Sequence, residues 1–347
     1  MKAVLMERGR LWVDTLPEPE PERGEVLVRS RACGICGSDL HAVKHTEAFV
    51  ATSREAGGAF KLTTFDPVVL GHEFSAEIVA YGPGTERRFA PGTLVCSVPV
   101  LLRDEFVGLG YSTSAPGGFA ELMILSERLL VPVPSGTPAH CAALTEPLAV
   151  GLHAVNKARL SGSEAIAVMG AGPVGLAVLI ALKHRGAGPV IVSDFSPARR
   201  ALAERLGADA VVDPRIASPL ANPLFAKEVL ARDRDVVIFE CVGVRGIIDQ
   251  IFVAAPRNAR IVVVGVCLEH DASRPLIAIN KELSVQYVLG YTTDEFAETL
   301  RFIADGAIDV SQLVTDRVGL DGVAAAFAAL ADPERHAKII VEPQRPS

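Results

Sequence analysis

Through the first 150 residues the apolar positions come in short runs, "EVLVRSRA", "AEIVAYG" and "GTLVCSVPV", cut by turn-forming stretches such as "GPG" and "APGG". Runs of that length bounded by Gly and Pro predict strands joined by turns, an antiparallel β domain. From about residue 160 the rhythm changes. Continuous β-branched runs, "EAIAVMG", "PVIVSD", "AVVD", "DVVIFECVG" and "RIVVVGVC", alternate with the helical stretches "PVGLAVLIALKHRG" and "SPARRALAERLG". Strands without a polar face, separated by helices, predict βαβ units and a parallel sheet buried on both sides. The tail, from "DEFAETLRFIADGAI" to "AKIIVEP", predicts further helices and a closing strand.

One turn in the alternating region has a specific pattern. In "VMGAGPVGLAVL", Gly170, Gly172 and Gly175 form G-x-G-x-x-G after a predicted strand and at the start of a predicted helix, with Pro173 and Val174 between the last two. Such a turn lets the backbone approach a pyrophosphate, which then meets the N–H groups of the helix N-terminus. The next strand ends at Asp194, the separation expected of a carboxylate that accepts from ribose hydroxyls. This reading gives a site for NAD, with Asp194 opposing the extra phosphate of NADP. Arg199 lies close enough to be a cofactor contact, although Arg199 and Arg200 on a helix also fit a solvated face. The plainer alternative is a glycine-rich packing turn with a solvated aspartate.

Composition narrows the partners. The chain has 347 residues, 49% hydrophobic and 22% charged, enough to bury a large core and to form two domains. Its net charge of -7 is spread without a Lys/Arg run, which argues against nucleic acid or an anionic membrane and leaves a small molecule as the expected partner. Lys2, Glu7, Arg8 and Arg10 interrupt any signal-peptide core, and no apolar run is long enough to span a bilayer, so a cytoplasmic location is expected. The six cysteines are sparse for this length, and burial or metal binding is their expected use.

Chemistry concentrates in "RACGICGSDLH", Arg31 to His41. Cys33-x-x-Cys36 fits a redox pair, half of a zinc knuckle, or one ligand beside an unrelated thiol. Further along, "VVLGHEF" adds His72 and Glu73. Thiolate, imidazole and carboxylate together suit zinc, which leaves a position open in catalytic sites. In order, "GICGSDLH", "GHE", "GAGPVG" and the C-terminal return resemble the zinc-dependent medium-chain dehydrogenases, and "ALTEPLAVGLHA" resembles their sorbitol and threonine dehydrogenase branch.

That resemblance implies an α/β protein: a GroES-like β catalytic domain, residues 1–151 and 291–347, and an NAD-binding Rossmann domain with a doubly wound parallel sheet, residues 152–290. It implies one catalytic zinc per chain, with Cys36 and His72 as ligands, Glu73 bound to or beside the metal, and Glu146 as the further ligand. Cys141 competes with Glu146. Asp39 would orient His72, Ser38 would take the alcohol proton, and His41 would pass it toward solvent. Plainer roles are a helix cap for Ser38 and a surface position for His41. The four cysteines of a structural zinc site are absent, because "VCSVPVLLRDEFVGLGYSTSAPGG" holds Cys96 alone.

The implied activity is hydride transfer between an alcohol and NAD, giving a ketone or aldehyde. Gly290 stands before Tyr291 where polyol dehydrogenases carry an arginine, so an apolar or aromatic secondary alcohol is expected first, a polyol or amino alcohol second. Other classes stay open: a zinc-free relative of quinone reductases, or an NAD-binding protein without turnover. The long segment 42–66, with Phe49, Phe60 and Phe65, is read as a roof over the substrate or as a surface excursion. Cys33, Cys96, Cys241 and Cys267 are expected in the core, and His153 as a helix-packing residue. An apolar sheet edge in "LSVQYVLGY" predicts a homodimer or homotetramer.

Overall fold

The computed structural model describes residues 1–57, 61–226 and 235–345. Two large sheets organise them. The first has seven strands in the order Val314–Val318, Lys338–Val341, Glu25–Gly34, Glu73–Tyr81, Leu94–Ser97 and Leu130–Pro132, with Leu122–Ser126 pairing off the path against Glu25–Gly34. Apart from the pair Val314–Val318 and Lys338–Val341, its ladders are antiparallel. Its partners come from both ends of the chain, because the closing strand "KIIV" docks on Glu25–Gly34 with Ile340 opposite Gly34. One face packs on Val4, Met6, Val28, Phe74, Ile78 and Phe119.

The second sheet is parallel throughout, in the order Ala210–Val212, Val190–Ser193, Ala165–Met169, Val236–Glu240, Arg260–Val263 and Ser284–Tyr287. Strands Ala165–Met169, Val190–Ser193 and Val236–Glu240 are buried at every position, which is why their sequence shows no alternation. Chain order runs outward from Ala165–Met169 in both directions, so a crevice opens beyond the carboxyl ends of Ala165–Met169 and Val236–Glu240. The glycine turn lies there. Helix Pro173–His184 starts within it, and a Cβ on Gly175 would come 1.8 Å from the Gly170 carbonyl oxygen, so only glycine lets helix and strand approach this closely.

Several local expectations change. The segment 42–66 is not an open loop: Thr46–Glu55 is a helix that buries Phe49, while Phe65 is exposed beneath Arg8, and Phe60 lies outside the described residues. Cys33, Cys96 and Cys241 are core thiols, but Cys267 follows the strand Arg260–Val263 in a partly exposed stretch where its thiol donates to the Glu269 carbonyl. Arg200 is no free solvated side chain; its guanidinium donates to the Asp194 and Phe195 carbonyls and pairs with Asp213. Among the described residues, no helix is long and apolar enough to cross a membrane.

Candidate functional site

Strand register assembles the first half of the site. Glu25–Gly34 and Glu73–Tyr81 run antiparallel with Gly34 opposite Glu73, so Cys36, two residues past one strand end, meets His72, one residue before the other begins. Ligand atoms of Cys36, His72 and Glu73 all lie within 4.8 Å of one another. The approach is tight: a Cβ on Gly34 would fall 2.1 Å from Glu73 Oε2. Glu146, at the start of helix Thr145–Ala158, does not join this triplet; its carboxylate accepts from the Tyr291 hydroxyl at 2.9 Å. Burial pushes the Glu146 carboxyl up to about 7. Cys141 sits in the short helix Ala139–Ala142, its thiol raised first by burial and then by Asp309.

Charge balance comes from a residue that sequence reasoning missed. Lys338, in the closing strand, sends Nζ to both Glu73 carboxylate oxygens at 2.8 and 2.7 Å and to the Ile35 carbonyl at 3.1 Å, with all three groups buried. Burial alone would lower the ammonium pKa, but Glu73 first, then Cys36, raise it. A lysine inside the apolar run "AKIIV" was the available signal, since lysine is rarely buried unless paired.

Helix Gly37–Lys44 carries the next group. Its N-cap is Cys36, not Ser38, with Asp39 Oδ2 accepting from the Cys36 N–H at 2.9 Å. Ser38 is therefore free of the cap, and its Oγ lies 3.5 Å from His72 Nε2. The other imidazole nitrogen, Nδ1, is 3.4 Å from Asp39 Oδ1, too poorly aligned for a hydrogen bond. Burial opposes protonation of His72, yet Asp39 and Cys36 outweigh it and raise its pKa well above the usual value. Desolvation, then Glu73, pushes the Cys36 thiol up. Tyr111, also unforeseen, puts its hydroxyl 2.8 Å from Ser38 Oγ and 3.3 Å from Asp39 Oδ1; burial, then Asp39, raises its pKa well above the usual phenol value. His41, one turn past Ser38, makes no side-chain hydrogen bond among the described residues; its ring lies 6.3 Å from that of His45, and burial lowers its pKa.

The donor set fits zinc. A thiol, an imidazole and a carboxylate converge, and Asp39 Oδ1 lies 3.4 Å from the far imidazole nitrogen, the position from which a carboxylate orients a ligating histidine.

At the second half, Gly170, Gly172, Pro173, Val174 and Gly175 occupy the turn and the first residues of helix Pro173–His184. Asp194, just past strand Val190–Ser193, accepts from the Ala171 N–H through Oδ2 and the Ser196 N–H through Oδ1, both at 2.8 Å, so its carboxylate braces the glycine turn. Arg199 leans over the turn: its terminal nitrogen is 3.7 Å from where a Gly172 Cβ would stand, and its buried Nε has no hydrogen-bond partner among the described residues. A small apolar crevice has both Pro173, at the start of the glycine-turn helix, and Lys338, the partner of Glu73, among its lining residues.

Comparison with known proteins agrees over most of the chain. The alcohol dehydrogenase GroES-like domain family matches residues 22–135, and the zinc-binding dehydrogenase family matches residues 173–305. The (R,R)-butanediol dehydrogenase of Bacillus subtilis strain 168 is 32% identical, covering 95% of this chain and 96% of its own length. The sorbitol dehydrogenase of the same strain is 30% identical over 99% of this chain and 98% of its own. A Sinorhizobium meliloti 1021 protein crystallised with NADP superposes with a TM-score of 0.81 at 28% identity, covering 99% of each chain.

Proposed function

The chain belongs to the zinc-dependent medium-chain dehydrogenases, and we propose that within this family it oxidises a small secondary alcohol to a ketone, with one zinc and NAD, and runs the reverse reduction. The observation that carries the reading is the Cys36, His72 and Glu73 triplet with the Ser38 hydroxyl beside it, in a chain that also holds a glycine turn at the carboxyl ends of a parallel sheet. When bound, zinc lowers the pKa of an alcohol hydroxyl by Lewis-acid polarisation, and nicotinamide takes the carbinol hydride.

The protein's own groups do the rest. Cys36, His72 and Glu73 hold the metal; Glu146, partly buried beside them, serves as the further ligand directly or through water, in preference to Cys141. Asp39 fixes which imidazole nitrogen faces the metal. Ser38 Oγ accepts the alcohol proton, and His41, partly exposed one turn away, passes it toward solvent. Gly170, Gly172, Pro173, Val174 and Gly175 cradle the pyrophosphate at the helix N-terminus, Asp194 takes the ribose hydroxyls, and Arg199 lies where a phosphate would approach the turn. The domain division, residues 1–151 with 291–347 and residues 152–290, is part of the same reading, supported by the closing strand's place in the seven-stranded sheet.

The stack of Phe49 on Tyr111 against His72 supports an apolar wall and hence an apolar or aromatic secondary alcohol. A second reading, a vicinal diol or other polyol, is favoured by the named substrates of the butanediol and sorbitol relatives. Assembly into a homodimer or homotetramer is supported by the edge strand Ser284–Tyr287, exposed along its length beside exposed Leu276, Ile279 and Leu289. The test is a panel of secondary alcohols, 2,3-butanediol and sorbitol among them, assayed with NAD on protein of measured zinc content. Turnover of a secondary alcohol at one zinc per chain is expected; no nicotinamide reduction by zinc-replete protein across the panel would overturn the reading.

A further inference from the structure

Building on the reading of Ser38 as the proton-accepting hydroxyl, we infer that Tyr111 is the positioning residue that turns the Ser38 hydroxyl between acceptor and donor. Tyr111 comes from the segment after the hairpin of Val100–Leu102 and Phe106–Gly108, remote in sequence from helix Gly37–Lys44, and is 2% exposed. Its ring is held between Phe49, stacked at 5.8 Å, and His72, tilted at 5.2 Å. That clamp sets the phenol oxygen 2.8 Å from Ser38 Oγ and 3.3 Å from Asp39 Oδ1. Ser38 Oγ is in turn 3.5 Å from His72 Nε2, and Asp39 Oδ1 is 3.4 Å from His72 Nδ1, so three polar side chains stand around the imidazole with Tyr111 bridging the other two.

A phenol has one hydrogen to give, and a carboxylate only accepts. Two hydrogen arrangements therefore share one set of heavy-atom positions. In the first, Tyr111 donates to Ser38 Oγ, and the hydrogen of Ser38 is left to point into the cleft. In the second, Tyr111 donates to Asp39, its oxygen accepts the Ser38 hydrogen, and the Ser38 lone pairs face the cleft. In oxidation Ser38 takes the alcohol proton as its own hydrogen swings from Tyr111 into the cleft and leaves toward His41; in reduction it gives its hydrogen to the ketone oxygen and regains one from the His41 side, so no net proton stays on Ser38, Tyr111 or Asp39. Tyr111 thus serves both directions of one reaction through Ser38, without touching the substrate.

The experiment compares wild type, Tyr111→Phe, Ser38→Ala and the double variant as zinc-loaded full chains, using 2,3-butanediol or whichever alcohol of the panel wild type oxidises fastest. Tyr111→Phe keeps the ring in its clamp and removes only the oxygen. It is expected to lower kcat about tenfold in both directions, a fraction of the roughly 10²–10⁴ that positioned acid–base groups contribute, with KM within about twofold. Zinc content stays at the wild-type level, and the solvent deuterium isotope effect on kcat rises. In the Ser38→Ala background the same change has no further effect, because its target is gone. Wild-type kcat in Tyr111→Phe, an undiminished further drop in the Ser38→Ala background, or loss of zinc would each overturn the inference. If Ser38→Ala itself keeps full turnover, the Ser38 reading falls and this inference with it; if Ser38→Ala is slow and Tyr111→Phe is not, only the inference falls. Should Tyr111→Phe fail to fold, 3-fluorotyrosine at position 111 keeps the ring and weakens its oxygen as an acceptor, and an unchanged kcat there counts against the proposal.

Discussion

Replacing Lys338 by methionine tests whether this ammonium is what makes the buried Glu73 carboxylate tolerable. Nζ lies 2.7 and 2.8 Å from the two carboxylate oxygens, with the Ile35 carbonyl completing its partners at 3.1 Å. At 2.7 Å and an effective dielectric of about 20, the attraction is about 6 kcal/mol, and desolvation of both ions offsets much of it. Removing one partner is costlier than the net worth of the pair, because the other charge is left buried; such losses run to about 3–5 kcal/mol. Metal-free Lys338→Met is therefore expected to lose about 3–5 kcal/mol, read from urea unfolding. Zinc at Cys36, His72 and Glu73 puts positive charge against the same carboxylate, so the loss shrinks in zinc-saturated protein, and by linkage the variant holds zinc more tightly in a chelator competition. The double variant Lys338→Met/Glu73→Gln should recover part of the metal-free loss, since the orphaned charge is gone. A metal-free loss below about 1 kcal/mol, or a double variant no more stable than Lys338→Met, would refute the reasoning.

Cys36→Ser should lose zinc and turnover yet bind NAD nearly as wild type, because the glycine turn belongs to the other sheet; elemental analysis and NADH fluorescence titration separate the two outcomes, and retained turnover removes Cys36 from the ligand set. Asp194→Ala should weaken NAD and shift the kcat/KM ratio toward NADP, because Arg199 already leans over the turn; an unchanged ratio means Asp194 only braces the Ala171 and Ser196 amides. Glu164 accepts from the Ser161 and Gly162 amides and from the Arg260 guanidinium; burial alone would raise its carboxyl, but these partners hold it below the usual range. Its folded pKa thus lies below the unfolded value, so its stabilisation is complete above the usual carboxylate range and is lost as pH falls through the folded value. Glu164→Gln should destabilise by about 1–3 kcal/mol at neutral pH, with the gap closing below about pH 4; a gap independent of pH rules the charged interaction out. Light scattering at micromolar concentration should give a dimer or tetramer, and a Tyr287→Lys substitution on the exposed edge should reduce it; a monomeric wild type ends that proposal.

The alternating β and α textures, the glycine turn and the ligand types were legible in the sequence because each is local. Buried parallel strands must be apolar on both faces, a pyrophosphate turn needs glycine at fixed spacing, and zinc needs thiolate, imidazole and carboxylate. Ser38 and Asp39 are marked only by the resemblance of "GICGSDLH" to the medium-chain dehydrogenases, because a hydroxyl and a carboxylate at a helix start equally fit a cap. What distance decided was different. Lys338 meets Glu73 only because the closing strand docks on Glu25–Gly34 with Ile340 opposite Gly34. Tyr111 meets Ser38 only after the segment behind the hairpin folds under helix Thr46–Glu55. Glu146 accepts from Tyr291, 145 residues away, through one carboxylate oxygen, and lies near His72 and Glu73 but outside the triplet. Sequence specifies which groups are present and what each can do; strand register and packing set which of them lie within about 3 Å, the range in which hydrogen bonds and ion pairs act.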